Sequence, residues 1–239
     1  MRLLAIVHED DAGPGVFGEL ASARGWELSH WRIAAGERYP EDPSRFDAVL
    51  SLGGAMHAHE RAAHPWLAEE EAVLARLAHD GRPVLGVCLG AQLLARATGG
   101  QSAELSAPEI GWYDVSVNRA GIEDPLLAQL ASGFSALQWH SCDFSPGPGA
   151  VTLATSERCV QACRVAPRAW AIQFHAEVTL GDFEAWLDGH LAHPEIGDAP
   201  ADPVALRAAT RERIGAWNEL GSDLFGRFLD VAAGSSARG

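Results

Sequence analysis

The chain has no lysine. Its cationic side chains are all arginine, which excludes a P-loop lysine, a Schiff-base lysine and a Ser–Lys catalytic pair. The same bias points to a GC-rich bacterial genome. Positive charge is scarce altogether: 18 arginines face 32 acidic residues, for a formal net charge of −14. So acidic a surface repels phosphate backbones and anionic lipid headgroups, so neither nucleic acid nor membrane is an expected partner. Long apolar runs are missing too, so no bilayer-spanning segment is expected. Leu3 to Val7 is too short for a leader and runs straight into His8-Glu-Asp-Asp11 without a cleavage pattern. It reads as a first strand rather than a signal peptide, and the cytoplasm is the expected compartment.

Cysteine is sparse, at Cys88, Cys142, Cys159 and Cys163. Reduced thiols are expected in such a compartment. Cys159 and Cys163 stand four apart, with no C-x-x-C and no paired histidines, a spacing that disfavours structural zinc. His57 and His59 form H-x-H without acidic or cysteine partners and read as solvated loop histidines. No metal and no organic cofactor is called for, and no nucleotide site is recognisable.

What is present is an alternation of strand and helix signals. Strands are expected at Leu3–Val7, Leu28–Ile33, Ala48–Leu52 and Val84–Val87. Helices are expected at Gly18–Arg24 and, on a clear apolar stripe, at Trp66–His79, closed by Gly81. This βαβα order predicts an α/β fold: a flavodoxin-like, mainly parallel sheet flanked by helices. The middle differs. Short strands are expected at Trp112–Val117, Ala136–Gln138, Val151–Ala154, Val160–Arg164 and Ala169–Phe174, forming an antiparallel extension. Residues 194–203 read as a polar, Pro-rich linker. Asp202-Pro203 then opens a helix to about Leu220, with a second short helix through Leu224, Phe228 and Leu229. With 239 residues, the expected division is a domain over 1–192, a C-terminal helical extension packed on it over 193–233, and a disordered tail over 234–239.

The most informative stretch is Val84-Leu-Gly-Val-Cys88-Leu-Gly-Ala-Gln92. A buried strand runs into an apolar helix, with a cysteine at the join and a glycine two residues to either side. That is a nucleophile elbow with cysteine in place of serine. A helix N-terminus aims its free N–H groups and positive dipole end at the sulfur, which favours the reactive thiolate. Such a nucleophile needs a base and a group to orient it. His175 stands at the end of the strand containing Ile172 and Phe174, and Glu177 follows two residues later. Ser51-Leu-Gly53-Gly54 ends another strand, so the N–H groups of Gly54 and Leu89 are candidates for an oxyanion hole.

In this order, Gly53-Gly54 after a strand, G-x-C-x-G-x-Q around Cys88 and Q-F-H-x-E around His175 resemble the class I, triad-type glutamine amidotransferases. The likeness is to the glutaminase domain of GMP synthetase. His64-Pro-Trp-Leu67 with Glu70, Glu109-Ile-Gly-Trp112, Gln138-Trp-His140-Ser141 and Val160-Gln161-Ala162 are similar to further stretches of that family. The resemblance covers about residues 45 to 180. It implies that Cys88 attacks the γ-carboxamide of glutamine, His175 relays the proton and Glu177 holds the imidazole. It also implies an oxyanion hole from Gly54 and Leu89, and substrate contacts from Gly53, Gln92, His140 and Ser141.

Two departures stand out. Ala176 replaces the family's usual proline, and Cys142 sits where glycine is common. Glutamine or a γ-glutamyl compound is the implied substrate. A stand-alone glutaminase serving a separate synthetase, a γ-glutamyl peptidase or hydrolase, and a catalytically silent binding protein of the same fold all remain open. So do a synthetase subunit or a second copy of the chain as protein partners.

Overall fold

The computed structural model of the chain describes residues 1–38, 45–128, 130, 132–193 and 200–234. The expected linker therefore lies mostly outside the described residues, as does the tail beyond residue 234. Nine strands form one mixed sheet: β1 (Arg2–Val7), β2 (Glu27–Arg32), β3 (Ala48–Ser51), β4 (Val84–Val87), β5 (Gln101–Val117), β6 (Gly133–Ser145), β7 (Val151–Thr155), β8 (Val160–Ala166) and β9 (Ala169–Ile172). Their order is β2-β1-β3-β4-β9-β8-β7-β5-β6. Pairing is parallel from β2 to β9 and antiparallel from β9 to β6.

Helices α1 (Gly15–Ala23), α2 (Trp66–His79), α3 (Leu89–Ala97), α4 (Arg119–Glu123), α5 (Leu180–Ala192) and α6 (Pro203–Ala232) flank the sheet. Strand alternation divides the core in two. In β1, Leu3, Ala5 and Val7 join the cluster containing α1, α5 and α6, whereas Leu4 and Ile6 join the one containing α2 and α3. The sheet is thus covered on both faces, as a parallel sheet of continuous apolar strands requires.

The expected α/β architecture is found, with differences of detail. The β5–β6 hairpin is far longer than the short strands expected. The first half of β5 is largely exposed and carries no apolar alternation, so periodicity has nothing to register there. Helix α5 is not among the expected elements, although Thr179 and Asp182 make a reciprocal capping box at its start, a signal written in the sequence as T-x-x-D. The two expected C-terminal helices are one 30-residue helix. Gly221 suggests a break, but a Cβ there would collide with the Ala176 carbonyl, so the glycine serves close packing rather than termination.

Helix α6 closes one core. Phe225 stacks on Phe17 at 4.4 Å between ring centroids, and Phe228 meets Trp170 edge-on at 6.3 Å. Both phenylalanines are fully buried. Phe228→Ala should therefore lower the unfolding free energy by about 3–5 kcal/mol, read from the midpoint of urea denaturation. A change within error would mean that α6 is not part of the core.

Candidate active site

The three middle strands β3, β4 and β9 run parallel and adjacent, so their carboxyl ends open on one edge, where open α/β sheets bind ligands. Cys88 follows β4. Its backbone has φ 51° and ψ −109°, the only positive φ at a non-glycine among the described residues. Such a conformation costs about 1–3 kcal/mol and persists only where its surroundings enforce it. Here they do. A Cβ on Gly86 would lie 2.5 Å from the Gly90 carbonyl oxygen, and one on Gly90 would collide with the backbone and hydroxyl of Ser51. The Cys88 N–H donates to the Ile172 carbonyl (2.9 Å) and the Gly90 N–H to the Leu52 carbonyl (3.0 Å). The elbow is thereby tied to the ends of both neighbouring strands.

The chain leaves β9 at Ile172, two residues before the expected end, and crosses toward β6, where the His175 N–H donates to the Leu137 carbonyl at 3.0 Å. Residues 175–178 are then held one by one. Trp217 Nε1 donates to the His175 carbonyl (2.8 Å), and Gly221 packs on that of Ala176. The Val16 N–H donates to the Glu177 carbonyl (2.8 Å), and Asn218 Nδ2 to that of Val178 (2.8 Å). Helices α1 and α6 thus brace the segment from outside the sheet. Ala176, in place of proline, is fully buried against this brace.

The side chains converge accordingly. His175 Nδ1 lies 2.7 Å from Glu177 Oε1, and the ring lies near Cys88, whose Sγ is 4.0 Å from the Trp139 carbonyl oxygen. Trp186 of α5 meets the His175 ring edge-on at 5.0 Å. Burial disfavours a charged imidazole, but the Glu177 carboxylate and the Cys88 sulfur outweigh it and raise the pKa of His175 to about 10. Gly53 touches the pair: a Cβ there would sit 2.9 Å from His175 Cε1 and 3.7 Å from Cys88 Cβ. Gly54 and Leu89 line the same cavity of about 520 Å³ as Cys88 and His175. The Leu89 N–H, first in α3, has no carbonyl partner within its helix.

The family model for glutamine amidotransferase class-I matches residues 23–191. The chain belongs to the class-I glutamine amidotransferase family. It is 28% identical over 234 residues to the putative glutamine amidotransferase-like protein YfeJ of Salmonella typhimurium, covering 96% of each chain. It is 38% identical over 100 residues to one subunit of the glutamine-hydrolysing GMP synthase of Sulfurisphaera tokodaii, or 41% of this chain and 52% of that protein. The crystal structure of a glutamine amidotransferase from Thermotoga maritima superposes with a TM-score of 0.87 at 25% identity, covering 96% of this chain and 98% of that one. Helix α6, which braces the His175 segment, lies beyond the matched family region.

Within this amidotransferase fold the remaining expected contacts are placed as follows. Gln92 lines the cavity, but its Nε2 donates to the Cys142 carbonyl at 3.0 Å and its Oε1 accepts from Ser102 at 3.3 Å. His140 also lines it, with Nδ1 3.0 Å from the Cys142 carbonyl and Nε2 3.1 Å from Glu109 Oε2. Both side chains are engaged in the cavity wall. Ser141 lines the cavity as well. His57 is half-buried rather than a solvated loop residue. It lines the cavity, and its Nδ1 lies 3.0 Å from Cys142 Sγ.

Glu109, His140 and Cys159 bring three potential metal-ligand atoms within 4.8 Å of one another. The Glu109 carboxylate, however, already accepts from Ser156 (2.8 Å) and Gln161 (2.9 Å). Burial pushes Glu109 up, but the His140 ring beside it and the hydrogen bond from Ser156 hold it below the usual carboxylate value. The cluster is a hydrogen-bonded buttress behind the cavity wall. The side chains that sequence reasoning misses are Trp186, Trp217 and Asn218. Their helices are unforeseen or misdivided in the sequence, and only the Thr179 capping box points to α5.

Burial, with nearby acidic groups for the first two, pushes Cys142, Cys159 and Cys163 up to about 12. At pH 8 a glutamine-like chloroketone should therefore alkylate Cys88 and spare the other three, as mapped by peptide mass spectrometry. Modification centred on Cys142 would contradict this geometry. A second expectation concerns the imidazole. Its raised pKa means that the stabilising charge is fully present below 6.5, the unperturbed value, and is lost as pH rises toward about 10. Glu177→Gln removes the first of the charges that raise it. In that variant the His175 ring should titrate well below about 10 by NMR, and the loss of stability from neutral to alkaline pH should flatten. An unchanged ring titration would show that Glu177 does not set the charge of His175.

Proposed function

We propose that the protein is a glutamine amidotransferase-like hydrolase that releases ammonia from the glutamine side chain through a cysteine thioester. The observation that carries this is the convergence of Cys88, His175 and Glu177 at one sheet edge, with the sulfur on a positive-φ elbow, the imidazole bonded to Glu177 and Gly53 bordering both Cys88 and His175. In this reaction His175 holds the proton given up by the Cys88 thiol, and the sulfur attacks the γ-carbonyl carbon of glutamine. The Gly54 and Leu89 N–H groups hold the resulting oxyanion. His175 returns the proton to nitrogen, the C–N bond breaks and ammonia leaves, with a γ-glutamyl thioester on Cys88. Water then adds with His175 as base, and glutamate departs. Glu177 keeps the ring oriented and balances its charge. Gly53 lets substrate approach closely, and Gln92, His140 and Ser141 shape the pocket for the glutamyl moiety. The chemistry requires neither metal nor cofactor. A separate synthetase is the ammonia acceptor on this reading, which accords with the likeness to one subunit of a GMP synthase.

One observation favours a second reading. The cavity of about 520 Å³ falls within the range that accommodates drug-sized ligands, about 300–1,000 Å³. On that reading a larger γ-glutamyl amide is hydrolysed by the same thiol chemistry.

Purified protein should release ammonia from glutamine, and Cys88→Ala should abolish release while leaving the unfolding midpoint near that of the parent. Unchanged ammonia production by the variant would remove Cys88 from the mechanism. Faster cleavage of γ-glutamyl-p-nitroanilide than of glutamine would favour the second reading.

A further inference from the structure

A second histidine–carboxylate pair lies behind the Gly53-Gly54 turn and has no place in the triad. His8 extends from the end of β1 and Glu70 from the middle of α2, and neither side chain is exposed. His8 Nε2 lies 2.7 Å from Glu70 Oε2, and the other carboxylate oxygen accepts from Ser51 Oγ at 2.7 Å. The remaining ring nitrogen, Nδ1, lies 3.0 Å from the Gly53 carbonyl oxygen. A carbonyl oxygen can only accept, so Nδ1 carries the hydrogen. Burial opposes charge on His8, but Glu70 and the Gly53 carbonyl outweigh it and the ring's pKa is raised. Trp66 stacks on the ring at 5.3 Å and restrains its plane.

The peptide joining Gly53 to Gly54 is planar and trans, so its carbonyl and its N–H point in opposite directions. Anchoring the Gly53 oxygen on His8 turns the Gly54 N–H away from His8. Gly53 itself borders Cys88 and His175. Gly54 packs closely between His8 and Leu89: a Cβ there would meet His8 Cβ at 2.9 Å and Leu89 Cδ2 at 3.1 Å.

We infer that the buried His8–Glu70 pair, braced by Ser51, is a positioning device that fixes the Gly53-Gly54 peptide so that the Gly54 N–H faces the oxyanion formed on substrate at Cys88. This rests on the hydrolase reading above and assigns to it two residues that touch neither substrate nor sulfur. The arrangement also accounts for a fully buried glutamate on a helix whose neighbouring glutamates are partly or largely exposed. Its charge is matched by the ring, and both its oxygens are bonded.

The test separates oxyanion stabilisation from the reactivity of the sulfur. Alkylation of Cys88 by iodoacetamide is a displacement at carbon that forms no oxyanion, whereas glutamine hydrolysis does. Glu70→Gln preserves size but removes the charge that anchors His8. It should lower kcat for glutamine about 10²-fold or more, the effect of losing one oxyanion donor, with KM and the iodoacetamide rate at Cys88 close to those of the parent. Parallel loss of kcat and alkylation would overturn the inference, since the pair would then merely support the elbow. Unchanged kcat would overturn it as well. Should Glu70→Gln fail to fold, His8→Asn/Glu70→Gln leaves no buried unpaired charge, and the same two readings decide. No ammonia release by the parent protein, or release that survives in Cys88→Ala, would instead overturn the cysteine-hydrolase reading itself. That result is distinct from any outcome with the His8 and Glu70 variants.

Discussion

The backbone of Cys88 is the constraint on which the site depends. A residue with a side chain is held at a positive φ, while Gly86 and Gly90 let the flanking backbone pack where no Cβ would fit. The turn is bonded to the ends of β3 and β9 on either side. That arrangement fixes three things together. The sulfur stands above the sheet edge, the first amides of α3 lie beneath it, and the loop after β3 is close enough to complete the pocket. A parallel β3-β4-β9 order brings these parts together from distant stretches of sequence.

Around this elbow lies a set of histidine–carboxylate pairs. His175–Glu177 faces the sulfur, His8–Glu70 stands behind the Gly53-Gly54 turn, and His140–Glu109 lies behind the opposite wall. All six residues are buried. A buried charge is tolerated only when paired and hydrogen-bonded, and breaking such a pair costs more than the pair contributes. The protein therefore gives up stability to hold orientation around a site that needs it. Helix α6 belongs to the same logic. Trp217, Asn218 and Gly221 brace three carbonyls of the segment that carries His175 and Glu177. The C-terminal helix is thus structurally continuous with the site, although it lies outside the matched family region.

The parts legible in the sequence are those with strong local signatures. The apolar run into Gly86-Val-Cys88-Leu-Gly90 marks both the strand–helix join and the sulfur's place on it. The Gln173-Phe-His175-Ala-Glu177 pattern places the imidazole beside a carboxylate. Other features carry little local signal. Residues 101–107 of β5 are mostly exposed, and their pairing is decided by β6 rather than by their own periodicity. Gly221 reads as a helix break until the Ala176 carbonyl is seen against it. His57 reads as solvated because nothing in its own segment places Cys142 beside it. The brace from α6 and the His8–Glu70 pair join residues far apart in the chain, and such pairings follow from the fold alone.

The central claim is that Cys88 carries the γ-glutamyl group during turnover. The most direct measurement is acid quenching of the protein during steady-state hydrolysis of glutamine, followed by peptide mass spectrometry. The account predicts a γ-glutamyl adduct on the peptide containing Cys88, discharged by hydroxylamine. An adduct confined to the peptide containing Cys142 would contradict it.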